Sequence, residues 1–309
     1  MNVARDARLR SYAAEAWPRF DWAAAQIHGG AFHVVVVPPT GPILRVTTGR
    51  GFDARARRES ETLVTMAGLA LPVPIPRLLE GPVAGDDWSA SLITRVPGTP
   101  ADDLIATNPA KLQVYAELLA ALRAADPRVG SDLPPPRTWC GGGEWPDLVR
   151  RDLSLLLAED VRGTALDRIA ELLDAEGDVA GVVCHGDFGP HNILWDVDRP
   201  AGLIDLDHAC IGDPAIDLAP LIGFHGLEAV SAIAPAAEIR RAMIHRATLS
   251  LQVAAAAHLN GSNDLRDHAL RNFATRSRQG TLFEPNGMTP ADVSRQRTTP
   301  TSDGQHRAL

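Results

Sequence analysis

Residues Cys184–Asp217 read CHGDFGPHNILWDVDRPAGLIDLDHACIGDPAID. The stretch holds His185, Asp187, His191, Asn192, Asp196, Asp198, Asp205, Asp207, His208, Asp213 and Asp217. Three short apolar runs, Ala180–Cys184, Ile193–Trp195 and Gly202–Leu206, adjoin these polar clusters and read as strands. Carboxylates at strand ends beside buried residues need partners or a metal, because an unpaired buried charge is costly. Asp187 and Asn192 are five residues apart, and Asp205 follows Asn192 by thirteen, delivered by a hairpin of Ile193–Trp195 and Gly202–Ile204. One loop thus presents a base, and the next two strand ends present an amide oxygen and a carboxylate. Hard oxygen donors of this kind suit a Mg²⁺ ion that also binds substrate phosphates. Asp207 shares a strand face with Asp205, so it is either a second metal contact or a structural hydrogen-bonding group.

Outward toward the N-terminus the chain reads as strand-rich with one helix. Gly29-Gly30 precedes a β-branched run, Ala31–Val37. The turn cluster Pro38-Pro39-Thr40-Gly41-Pro42 leads into a second strand, Ile43–Thr48. A helix is predicted over Asp53–Leu69, with Leu63 and Met66 on the face of Glu59. Trp88–Val96 is a further strand, stopped by Pro97-Gly98. Asn108-Pro109 is a cap and first-turn pair opening a helix with Leu112, Tyr115, Leu118, Leu119 and Leu122 in register. Further helices are predicted over Pro146–Ala158, Ala165–Ala175, Glu238–Leu259 and Asp264–Thr275. From Glu284 to Leu309 the chain is rich in Pro, Thr, Ser, Arg and Gln without apolar periodicity, and a disordered tail is expected.

Composition bounds the function. The chain has 309 residues, 45% hydrophobic and 22% charged, enough for two domains or one two-lobed unit with a sizeable core. A formal charge of −8 argues against a general nucleic-acid binder. Cys140, Cys184 and Cys210 are odd in number and lack C-x-x-C spacing, so neither a disulfide framework nor a cysteine zinc site is expected. No apolar run approaches the roughly 18 residues that span a bilayer. A soluble cytoplasmic protein without a secretory signal is expected.

The motifs HGDFGPHN (His185–Asn192), LIDLDHA (Leu203–Ala209) and GDPAIDLA (Gly212–Ala219) resemble the aminoglycoside phosphotransferase family. The resemblance extends upstream through HGGAFHVVVV, ILRV, RESETLVTMAGLALPVPIPRLL and LITRVPGTP, covering roughly residues 20–260. It implies an α+β, bilobal protein-kinase-like fold. A β-rich N-lobe would span residues 1–95 and cover the nucleotide. A mainly helical C-lobe, 96–283, would bind the acceptor. The implied reaction moves the γ-phosphate of ATP or GTP to a hydroxyl of a small molecule: an aminoglycoside, a macrolide or a metabolite alcohol. A role in antibiotic resistance would follow for the first two.

The resemblance also implies roles. Asp187 would be the catalytic aspartate. Asn192, Asp205 and, as a second contact, Asp207 would hold Mg²⁺. Arg45 and Glu59 would pair at the nucleotide phosphates, with Gly29 and Gly30 as the covering loop or a plain hairpin turn, and Ile93 and Val96 beside the nucleotide. His185 would hold the catalytic loop, Asp217 would brace it through backbone amides, and Asp213 would cap the following turn. His33 reads as an ordinary strand residue, and Arg55, Arg57 and Arg58 as a solvated helix face. In kinases a lysine occupies the position of Arg45, and a fuller glycine loop precedes the strand. These departures keep a second reading open, a nucleotide-binding pseudokinase. A third reading, a metal-dependent hydrolase using His185, His191, Asp205, Asp207 and His208, lacks a zinc-type spacing.

Overall fold

The computed structural model describes residues 3–30, 32–101, 109–126, 128 and 130–295. Helix α1 (Val3–Ala16) was not anticipated. It carries few apolar positions, but Leu9 and Ala13 lie one turn apart and bury, together with Trp17, against the first sheet. That sheet holds β1 (Gln26–Gly29), β2 (His33–Val37), β3 (Ile43–Thr48) and, beyond helix α2 (Phe52–Ala67), β4 (Leu78–Ala84) and β5 (Trp88–Ile93). Its order is β1-β2-β3-β5-β4, antiparallel throughout. Alternation sorts its two faces. Val34, Val36, Leu44 and Val46 pack with Trp22 and Trp88 under α1. His33, Val35, Ile43, Arg45 and Thr47 therefore share the opposite face, toward α2 and the rest of the molecule. The short strands β1 and β4 were also missed.

The connection from β5 runs through β6 (Thr99–Pro100) to α3 (Pro109–Arg123). The expected Asn108 cap lies outside the described residues. In place of one helix over Pro146–Ala158 there is α4 (Trp145–Leu148), a π-helical turn Val149–Leu153 and a 3₁₀ turn Ser154–Leu156. Helix α5 (Glu159–Glu176) leads to β7 (Val182–Cys184), the hairpin β8 (Ile193–Asp196) and β9 (Arg199–Leu203), and β10 (Cys210–Gly212). Strands β6-β8-β9 form one small sheet and β7-β10 another. Then follow α6 (Ala215–Ser231), α7 (Ala236–Leu259), α8 (Asn263–Arg278) and α9 (Pro290–Arg295).

Helix α7 is buried on most of its circumference, from Ile239 through Met243 and Leu251 to Ala254–Ala257, as befits the central helix of a bundle. It packs against α5, α6, α8 and α9. The predicted disordered tail is corrected in its first part. Glu284 is only 1% exposed, accepts a hydrogen bond from the Asn286 amide (2.6 Å), and Val293 of α9 joins the core. Residues 296–309 lie outside the described residues. Among the described residues no helix is long and apolar enough to cross a membrane.

Candidate active site

The loop between β7 and β8 is fixed by its own side chains. His185 is fully buried; its Nε2 lies 2.9 Å from the Ile204 carbonyl and its Nδ1 accepts from the Asp187 amide (3.3 Å). Those partners place the proton on Nε2. Asp217, in the first turn of α6, accepts from the His185 and Gly186 amides at 2.9 and 2.7 Å. A carboxylate there also suits the positive end of the helix dipole. Gly186 has φ +84°, and a Cβ on it would lie 2.0 Å from the His208 carbonyl oxygen. The loop and the turn Leu206–His208 are thus pressed backbone to backbone, and only glycine fits between them.

Asp187 and Asn192 meet inside this loop. The Asn192 side-chain amide donates to the Asp187 carbonyl (2.9 Å) and to the Asp187 Oδ2 (3.4 Å), which leaves the Asn192 oxygen without a hydrogen bond among the described residues. Burial pushes the Asp187 carboxyl up, but His191, His208 and His185 together outweigh it and hold it at about 2. Ile204 donates its amide to the Asn192 carbonyl (2.9 Å), which sets Asp205 beside the loop in a left-handed conformation, φ 63°. The Asp205 side chain is half exposed, into the cleft.

Across the cleft Arg45 reaches down from β3. Its Nη2 donates to Asp207 Oδ2 and lies 3.3 Å from Asp205 Oδ1. The direct Arg45–Glu59 pair expected from the sequence is not what forms. The Nε2 of His33 is 2.9 Å from Glu59 Oε2, and the Nδ1 of His33 is 3.1 Å from Arg45 Nη2. Glu59 also accepts from Thr47 Oγ1 (3.2 Å) and faces Arg55 Nε at 3.7 Å. Burial first, then Arg45, pulls the His33 imidazole below its ordinary value despite Glu59. His33 is therefore no ordinary strand residue. Nor is Arg55 part of a solvated face: it is 7% exposed and donates to the Thr48 carbonyl and to Asn260 Oδ1. Asp207 thus gives its Oδ2 to Arg45, and with His33 and Glu59 it forms a group whose ligand atoms lie close enough together to hold a metal ion.

The cleft between the lobes is about 520 Å³. Its lining includes Val35, Ile43, Ile93, Val96, Leu194 and Ile204 from both lobes, the apolar slot a planar base would need. Gly30 lines it, its amide donating to the His33 carbonyl (2.8 Å) at a hairpin tip; Gly29 does not. Two further aromatic groups were not anticipated there: Trp139 stacks on His208 with ring centroids 4.2 Å apart, and Phe32 lies nearby on the cleft wall. Asp213 is elsewhere. It caps α6 through the Ala215 amide (2.9 Å) and binds Arg241 with both oxygens, at 2.7 and 3.0 Å.

Residues 25–257 match the phosphotransferase enzyme family. The chain belongs to that family. It is 32% identical over 258 residues to viomycin phosphotransferase of Streptomyces vinaceus, covering 77% of this chain and 88% of the relative. Among solved structures, the GDP complex of wild-type aminoglycoside 2'-phosphotransferase-IIIa superposes with a TM-score of 0.71 at 15% identity, over 89% of this chain and 99% of that one. Macrolide 2'-phosphotransferase from Brachybacterium faecium, as apoenzyme, gives 0.59 at 20% identity, over 86% and 97%. These likenesses establish the kinase-like, two-lobed fold for the phosphotransferase.

The capping carboxylate gives this phosphotransferase a pH signature. Burial works against the Asp213 anion, but His245, Arg241 and the Ala215 amide outweigh it and hold the carboxyl well below the usual carboxylate range. A folded-state value below the unfolded one, about 3.9, adds stability above that pH. The contribution is lost as pH falls through the folded value. Asp213→Asn is expected to cost about 2 kcal/mol at neutral pH, the scale of hydrogen bonds to a charged group. Urea unfolding between pH 7 and pH 3.5 checks it: the gap between wild type and variant stays flat to about pH 5 and narrows below about pH 4. A gap that widens in acid would contradict the assignment.

Proposed function

We propose that the enzyme transfers the γ-phosphoryl group of ATP or GTP to a hydroxyl of a small antibiotic-type acceptor, with Mg²⁺ as cofactor. The observation that carries the reading is the convergence of Asp187, Asn192, Asp205 and Arg45 on one cleft between the lobes. The base lies in the slot of Val35, Ile43, Ile93, Val96, Leu194 and Ile204. The phosphates run toward Arg45, whose Nε is buried without a partner among the described residues. The free oxygen of Asn192 and the cleft-facing carboxylate of Asp205 fit Mg²⁺, a hard cation that takes oxygen ligands. The ion would neutralise charge building on the transferred phosphoryl group. Asp207 serves instead to hold Arg45.

Asp187 takes the acceptor hydroxyl. With its carboxyl held at about 2, it is a weak base, suited to orienting the hydroxyl and taking the proton late. A loose phosphoryl transition state demands no more than that. The acceptor lies against Phe32, Trp139, His208, Leu249 and Val253. These walls suit a ligand with a flat or apolar face beside its hydroxyl. The name of the 32% identical relative points the acceptor screen first to viomycin-type antibiotics, then to aminoglycosides and macrolides. The intact acidic residues favour a working enzyme over a pseudokinase. We divide the chain into an N-lobe to about residue 95 and a C-lobe beyond it, and place the enzyme in the cytoplasm, where its nucleotide is supplied.

Calorimetric titration with ATP and GTP, with and without Mg²⁺, tests the reading on wild type and Asp205→Ala. Binding that needs the metal and weakens at least tenfold in the variant is expected, the scale of a lost charged contact. If neither nucleotide binds wild type, the proposal fails.

A further inference from the structure

A direct ion pair needs only that cation and carboxylate meet, but here an imidazole stands between them. A guanidinium nitrogen can only donate, so the Nδ1 of His33, 3.1 Å from Arg45 Nη2, must present its lone pair. The proton then sits on Nε2 and is donated to Glu59 Oε2 at 2.9 Å. His33 is placed for this by pairing directly opposite Thr47, which donates to the same carboxylate oxygen. The other oxygen of Glu59 faces Arg55. Arg55 leaves the N-lobe and donates to Asn260 Oδ1, while the Arg50 amide donates to the Asn260 carbonyl (3.1 Å). Asn260 follows the last residue of α7, the helix whose Leu249 and Val253 line the cleft.

We propose that His33 is a positioning residue for Arg45, and that the chain Asn260–Arg55–Glu59–His33–Arg45 ties the placement of the cleft cation to the docking of the α7 end on the N-lobe. The inference rests on the reading of Arg45 as the cation that meets the nucleotide phosphates. In it the C-lobe holds Arg45 from two sides. Asp205 and Asp207 hold the guanidinium head directly, and Asn260 holds it through the relay. Loosening the lobe contact at Asn260 would let Glu59 turn away and leave His33 free to rotate. Arg45 would then be held by Asp205 and Asp207 alone, without the contact to His33 that fixes its guanidinium on the other side.

The experiment compares wild type with His33→Leu, His33→Gln, Asn260→Ala and the double variant His33→Leu/Asn260→Ala. The readouts are the calorimetric Kd for Mg²⁺-nucleotide, the KM for nucleotide and for acceptor, and the melting temperature. His33→Leu removes both ends of the relay, and nucleotide Kd and KM should rise about tenfold while the acceptor KM stays unchanged. His33→Gln keeps one amide donor for Glu59 and one carbonyl acceptor for Arg45, and should return both to within about threefold of wild type. Asn260→Ala should raise nucleotide Kd by about threefold, and should add nothing on the His33→Leu background if both act through one chain. It also keeps the test decisive where His33→Leu does not fold. Failure of His33→Gln to bind better than His33→Leu, or fully additive effects in the double variant, would overturn the relay alone. Wild type that binds no nucleotide would overturn the functional reading, and the relay with it.

Discussion

Asp187→Asn is expected to lower kcat by about a thousandfold while leaving nucleotide affinity within about twofold, a loss in the range for removing a positioned base. The substitution is close to isosteric. The Asn192 amide donates to the backbone carbonyl of residue 187 at 2.9 Å, so the loop keeps its shape. Asn192 and Asp205 are untouched, so the nucleotide and its ion should still bind. What would disappear is the anion proposed to orient the acceptor hydroxyl and finally to take its proton. Wild-type Asp187 stays ionised throughout the neutral range because its carboxyl is held at about 2, and it therefore introduces no inflection between pH 5 and 8. Single-turnover measurements alongside nucleotide calorimetry decide the matter. A variant that keeps kcat within about tenfold of wild type would remove Asp187 from the chemistry.

Gly186→Ala is the second large effect, and it arises from shape alone. The left-handed backbone costs a residue with a Cβ roughly 1 kcal/mol. The larger penalty is contact: the new atom would lie 2.0 Å from the His208 carbonyl oxygen and 2.5 Å from its carbonyl carbon. Neither is the end of a flexible side chain. His208 is held by its stack on Trp139, and Gly186 by the hydrogen bond its backbone amide donates to the Asp217 carboxylate. The loop must therefore move by about 1 Å, and a misplacement of that size costs on the order of a hundredfold in rate. Melting temperature should fall along with kcat/KM. A variant indistinguishable from wild type in both would show that the loop and the turn are not locked together.

The part of the fold legible in the sequence is the part whose contacts are local. Between Cys184 and Asp217 the loop after β7, the hairpin and the acidic strand end follow each other directly, so spacing alone aligns Asp187, Asn192 and Asp205. Strands β2 and β3 of the N-lobe announce themselves by β-branched runs on either side of a Pro/Gly turn cluster. Helix α6 was hidden because Pro220 interrupts it and Gly226 leaves helical geometry, and because its burial supplies what propensity does not. Helix α1 was hidden because two apolar residues a turn apart make too thin a stripe to read.

The misread residues of the site belong to long-range pairings. Arg55 and Arg57 look alike in RARR, yet the side chain of Arg55 is 8% exposed and that of Arg57 66%. Arg55 is held by Asn260, 205 residues away, as well as by the Thr48 carbonyl and Glu59, none of which the run itself reveals. His33 likewise meets Glu59 across 26 residues. A histidine on the same sheet face as Arg45, opposite Thr47, was the available signal. Alternation could have put it in the cleft, though not told what it touches.

The arginine on β3 has a practical consequence for detecting such enzymes. The chain contains one lysine, Lys111, which lies on α3 with its amine 5.4 Å from the centre of the Trp195 ring. Nucleotide analogues that acylate an amine facing the phosphates have nothing to acylate in this cleft, because a guanidinium stays protonated and is no nucleophile at neutral pH. Surveys that identify kinases by tagging that amine would pass over this protein. A vicinal dicarbonyl reagent, which condenses with guanidinium groups, is the chemistry matched to it, and protection of Arg45 by bound nucleotide would give the labelling its specificity.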